Sequence, residues 1–241
     1  MSLVEHLEEL RYRLVVVIVA VAVGAVLGWF LFDPLVDLLR KPYCDYWDSV
    51  PPSQRATREC TFFFSTALEP ILIKFKLVGV MGLFFALPVV LYQLWSFVVP
   101  GLTKRERHLA IPFVVSSVFL FALGALFAYV TLPKALAFLL GFAGSSFSPL
   151  LTGDKFFSFV VLVAVTFGLS FEFPVVLVFL NAAGVITTTQ LRSWRRVAIL
   201  GIAIFAAVIT PSSDPYTMLA MSVPMWLFYE LAIIVGRLMK R

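Results

Sequence analysis

The chain has 241 residues, of which 61% are hydrophobic and only 14% charged. That balance excludes a water-soluble globular domain, because several apolar runs reach the roughly 20 residues that cross a bilayer. The formal net charge of +5 implies no nucleic-acid partner, since surplus Lys and Arg in such a chain chiefly set topology.

Residues 2–14 carry an amphipathic helical pattern. Ser2 and Glu5 fit a capping box, and Leu3, Leu7, Leu10 and Leu14 share one face. Glu9 and Arg13 stand four apart, the spacing of a helical ion pair. Glu5, Glu8 and Glu9 distinguish this segment from a cleavable signal, which starts basic, so the first apolar run is expected to stay as a helix. An interfacial helix accounts for the leucines. Acids beside an anionic leaflet weaken membrane attraction, which suggests a further use for Glu8 and Glu9.

Six helices are predicted, at about 14–32, 72–99, 109–132, 156–180, 197–209 and 216–235. The fifth is below a full span. Backbone groups in lipid must bond within their own segment, so the expected fold is all-α, a polytopic membrane protein with one integral domain over 1–241. Eleven of the 19 Lys and Arg fall on the side that carries both termini, which are therefore placed in the cytoplasm. Cys44 and Cys60 then share the first external loop, on the oxidising side. They either form a disulfide closing about 16 residues or remain unpaired thiols.

Between the second and third spans, residues 101–108 form a short cytoplasmic loop that keeps Glu106 close to the membrane. Taken alone it is a solvated carboxylate. With a second acid nearby the two would make a site for a dibasic ligand, arginine above all, whose planar fork suits a carboxylate. Gln93 in the second span either packs between helices or bonds inside the protein. Glu172 falls within the fourth apolar run, where a carboxylate costs about 2.5–3.5 kcal/mol on insertion scales, so it should face protein or water and have a partner. By residue counting, Gln93 and Glu172 both lie in the cytoplasmic halves of their helices. Pro88, Pro112, Pro174 and Pro224 bend their spans. Asp214 lies in the external turn 210–215 as a cap or turn residue.

Signals for catalysis or metal binding are poor. His6-Leu7-Glu8-Glu9-Leu10 lacks the second histidine of the zinc motif. No nucleophile has an adjacent base, and no glycine loop suits a phosphate. No catalytic residue, metal or cofactor is expected.

Together these residues resemble the TatC family, the multi-spanning receptor subunit of the twin-arginine protein translocase. The resemblance rests on His6-Leu7-Glu8-Glu9-Leu10-Arg11-Tyr12-Arg13-Leu14, on Leu87-Pro88 through Tyr92-Gln93-Leu94-Trp95-Ser96-Phe97 with Pro100-Gly101-Leu102, and on Arg105-Glu106-Arg107. Phe171-Glu172-Phe173-Pro174, Thr210-Pro211 with Asp214, and Pro224 with Tyr229-Glu230 complete it. It implies a concave cup of bent helices in the bacterial cytoplasmic (inner) membrane. The implied function is recognition of the twin-arginine signal peptides of folded cargo, with Glu9 and Glu106 as the acidic site and Arg11 and Phe97 around it. It further implies docking of the single-span subunits TatA and TatB, with Glu172 and Gln93 as an intramembrane polar site, and self-association in a larger complex. The rival from another class is a proton-coupled secondary transporter with Glu172 as its midplane site. That reading would be supported by inverted repeats and broken helices, which the sequence does not display.

Overall fold

The computed structural model describes residues 3–51, 59–98, 110–141, 151–210 and 214–238. Among the described residues the chain is all-α: α1 (Leu3–Phe30), α2 (Phe32–Ser49), α3 (Glu69–Val98), α4 (Ala110–Gly141), α5 (Gly153–Phe171), α6 (Phe173–Ala182), α7 (Thr188–Ser193), α8 (Arg195–Ile209) and α9 (Pro215–Leu238). Among the described residues five stretches are long and apolar enough to cross a membrane: Leu7–Phe30, Glu69–Ser96, Ile111–Gly141, Gly153–Ala182 and Pro215–Leu238. The 15 residues of α8 extend about 22 Å at 1.5 Å per residue, short of the roughly 30 Å hydrocarbon core.

Besides the extension of α4 to Gly141 and the short additional helix α7, the helices differ from the sequence reading in three places. The amphipathic start and the first span are one uninterrupted helix, α1, because no Pro or Gly punctuates residues 3–23. The segment between the first two spans opens with a helix of its own, α2, whose 18 residues are too charged to register as a span. The fourth span is divided into α5 and α6 at Glu172. Pro174 has no N–H to offer the preceding turn, and the Glu172 N–H bonds Leu169 O at 3.1 Å instead. Glu172 keeps helical dihedrals, φ −73° and ψ −19°, so the interruption is a proline kink, not an unwound segment.

The chain divides into two compact units, Met1–Asp37 with Pro70–Phe119, and Leu38–Glu69 with Leu120–Arg241. In the first, α1 and α3 touch backbone to backbone. A Cβ placed on Gly24 would come within 2.6 Å of Gly82 O, and one on Gly28 within 2.8 Å of Met81 Cβ. Such approach is how helices associate in lipid, where apolar burial gives little driving force between them. Trp95 Nε1 donates to Ser117 Oγ at 3.1 Å, and its ring stacks on Phe113 with centroids 5.4 Å apart. That bond ties α3 to the start of α4 and satisfies two polar groups in a buried place.

In the second unit α9 is the hub, packed on α5, α6, α7 and α8. Its Met221, Met225, Tyr229 and Ile233 join Phe167 and Phe171 of α5, Leu177 of α6 and Ile202 of α8 in one buried cluster. Gly184, at φ 73°, turns the chain after α6. Thr187 and Gln190 then form a capping box that starts α7. At the other end of this unit Cys44 and Cys60 are disulfide-bonded, with Cα atoms 5.6 Å apart. Beside the disulfide lies an aromatic cluster in which Phe62 stacks on both Tyr43 (5.2 Å) and Phe156 (4.8 Å). Burial, and secondarily the nearby Tyr46, raises the Tyr43 pKa above its ordinary value.

Candidate functional site

The polar chemistry of the first unit gathers where the start of α1 meets the C-terminal end of α3. A helix end leaves its last carbonyls without intrahelical donors and carries partial negative charge. Arg13 answers both. Its Nη1 donates to Gln93 O at 3.4 Å and to Gln93 Oε1 at 3.0 Å, and its Nη2 donates to Ser96 O at 3.2 Å. The same guanidinium donates from Nε to Glu9 Oε1 at 3.1 Å, and Nη2 also bonds that oxygen. The side chains of Arg13 and Glu9 are only 18% and 23% exposed. This is therefore not the screened surface pair whose contribution averages near zero.

Glu9, expected at the recognition site, and Gln93, expected with Glu172 at the intramembrane polar site, are brought together here through Arg13. Arg11 is exposed on α1. Glu106 and the side chain of Phe97 lie outside the described residues. Gln93 belongs to the first unit and Glu172 to the second. Glu172 is half-buried and its Oε1 is shielded from solvent.

Three further arrangements organise the second unit. Glu69, buried, accepts from Ser65 N at 2.6 Å and from Asp154 N at 3.1 Å. It thus holds the loop before α3 against the first turn of α5, where a carboxylate suits a helix start. Arg195 at the start of α8 pairs with Glu230 of α9, beside Tyr229, whose hydroxyl donates to Leu191 O at 2.6 Å. Asp214, buried, accepts from Thr217 N at 2.8 Å and starts α9 as its N-cap.

Sequence reasoning paired Glu9 with Arg13 but missed that Arg13 also fastens α1 to α3, because bonds to Gln93 O and Ser96 O leave no trace in residue type. It also missed Glu69 and the Arg195–Glu230 pair. The second had a signal: Glu230 is an acid inside an apolar span, and such a group needs a partner.

Membrane-length helices that keep carboxylates paired inside and at their ends define a multi-pass membrane protein. Residues 5–224 match the family described as "Sec-independent protein translocase protein (TatC)". The chain belongs to the TatC family. It is 44% identical over 248 residues to the Sec-independent protein translocase protein TatC of Frankia casuarinae, covering 100% of this chain and 67% of that relative. Against its counterpart in Corynebacterium kroppenstedtii it is 37% identical over 262 residues, with 100% of this chain and 62% of the relative covered. It is also similar to a crystal structure of the twin arginine translocase receptor TatC, at TM-score 0.76 and 38% identity over 98% of this chain and 100% of that one.

Proposed function

We propose that this chain is the receptor subunit of a twin-arginine translocase, acting as one integral domain in a bacterial cytoplasmic membrane with both termini in the cytoplasm. It binds the twin-arginine signal peptides of folded cargo. The carrying observation is the half-buried Glu9 carboxylate at the end of α3, in a chain 38% identical to a solved twin arginine translocase receptor. A carboxylate at a membrane edge, where the effective dielectric is well below that of water, holds a guanidinium more firmly than one in bulk solvent. Glu106, which follows α3 in the sequence, is the second acceptor, and Arg11 and Phe97 contribute around the pair. No bond is made or broken, so the work is recognition, not catalysis.

The kinked span gives the second part of the reading. Glu172 receives a polar group from the transmembrane helix of a single-span partner of the TatA or TatB type, Gln93 is a further polar position for partner docking, and copies of the receptor associate within the larger complex. Both parts are testable with the full chain in nanodiscs and a fluorescent peptide bearing two consecutive arginines before an apolar stretch. Glu9→Gln and Glu106→Gln are each expected to weaken binding by about tenfold or more, the size of one lost charge-assisted contact. Full affinity in the double variant refutes the site. For the partner contact, Glu172→Ala is expected to abolish co-purification of the single-span subunit while leaving peptide affinity unchanged.

A further inference from the structure

The carboxylate assigned to the incoming arginine already holds an arginine of the chain itself. A guanidinium has five N–H donors. In Arg13 all five are used: two meet Glu9 Oε1, and three go to acceptors at the end of α3. Three of the five bonds do not involve Glu9, so Arg13 is fixed by α3 and Glu9 is fixed by Arg13. Both bonds to Glu9 end on the same oxygen, and Oε2 receives none from Arg13.

Resting on the receptor reading above, we infer that Arg13 is the positioning residue of the signal-peptide site. It pins the rotamer of Glu9 to the end of α3 and leaves Oε2 as the face that takes the cargo guanidinium. The geometry carries two consequences. An unpinned glutamate on an interfacial helix samples several rotamers and loses entropy when it binds, whereas a pinned one has already lost it, so Arg13 raises affinity through preorganisation. A fixed carboxylate plane also favours a planar fork over a rotating ammonium, so Arg13 sharpens the preference for arginine over lysine. The opposite role is that of a competitor, in which Arg13 blocks Glu9 and its removal tightens binding. The three bonds to α3 speak against it, because Arg13 would have to leave all of them to make way.

The test compares Arg13→Gln, Arg13→Lys, Glu9→Gln and the Arg13→Gln/Glu9→Gln double variant, each as full chain in nanodiscs. Affinity is measured for a twin-arginine peptide and for the same peptide with two lysines, and melting is followed on the same samples. Arg13→Gln is expected to weaken the twin-arginine peptide about tenfold and to narrow its advantage over the lysine peptide. Arg13→Lys should restore little, because an ammonium has three donors for five acceptor contacts. In the Glu9→Gln background, Arg13→Gln should add less than about twofold, the signature of two residues acting as a unit. A helix-docking role alone would lower melting and leave the peptide preference unmoved. The inference is overturned if Arg13→Gln binds as well as or better than wild type while Glu9→Gln binds worse. It is equally overturned if the loss from Arg13→Gln is the same with and without Glu9. If Glu9→Gln itself binds normally, the receptor site is wrong and the inference falls with it.

Discussion

Gly82 and Gly79 lie three residues apart on α3, and the structure assigns them opposite responses to the same methyl group. A Cβ on Gly82 would stand 2.6 Å from Val21 O, 2.9 Å from Ala25 N and 3.0 Å from Ala25 Cβ, all on α1. Ordinary van der Waals contact begins near 3.4 Å, so α1 must retreat by about 0.8 Å along a helix-to-helix seam of backbone atoms that no rotamer change can relieve. Overpacking of this kind costs about 1–3 kcal/mol, and backbone on both sides places Gly82→Ala toward the upper end. A Cβ on exposed Gly79 meets nothing within 4 Å. Gly79→Ala therefore shows only the helix-propensity gain, up to about 1 kcal/mol. The expected separation between the two variants is about 2–4 kcal/mol, measured by reversible unfolding in mixed micelles with increasing SDS fraction. Two variants within about 0.5 kcal/mol of each other would refute the claim that α1 and α3 are held by backbone contact.

The disulfide and the buried cap give two more expectations. Cys44→Ser/Cys60→Ser should lower unfolding stability under oxidising conditions by about 3 kcal/mol, the chain-entropy figure for a loop near 16 residues, whereas the same comparison under reductant should show almost no difference. Asp214→Ala removes the acceptor for Thr217 N at the start of α9 and should cost about 1–2 kcal/mol in the same unfolding assay, with Asp214→Asn recovering most of it because the amide oxygen still caps.

Much of the fold is written in apolar run lengths. The all-α, multi-pass character follows from segments that only helices can place in lipid, and the TatC family followed from short motifs spread along the chain. The helix α2 was missed because its polar residues hide it from any search for spans. The kink at Glu172 was half legible: Pro174 announces a bend, yet only coordinates show that the helix parts two residues before it, at Glu172. The role of Arg13 was less legible still. Its pairing with Glu9 is a matter of four-residue spacing, whereas its grip on α3 depends on Gln93 and Ser96, 80 and 83 positions away, in part through main-chain oxygens.

Sequence alone determined which stretches are helical and apolar, because the bilayer leaves the backbone a single solution and hydropathy is local. Only tertiary structure decided which helices meet and what their charged ends hold. Close approach at Gly24 and Gly82, the Arg195–Glu230 pair and the hold of Arg13 on the end of α3 are distances between segments remote in the chain, and such distances arise only once the helices have packed.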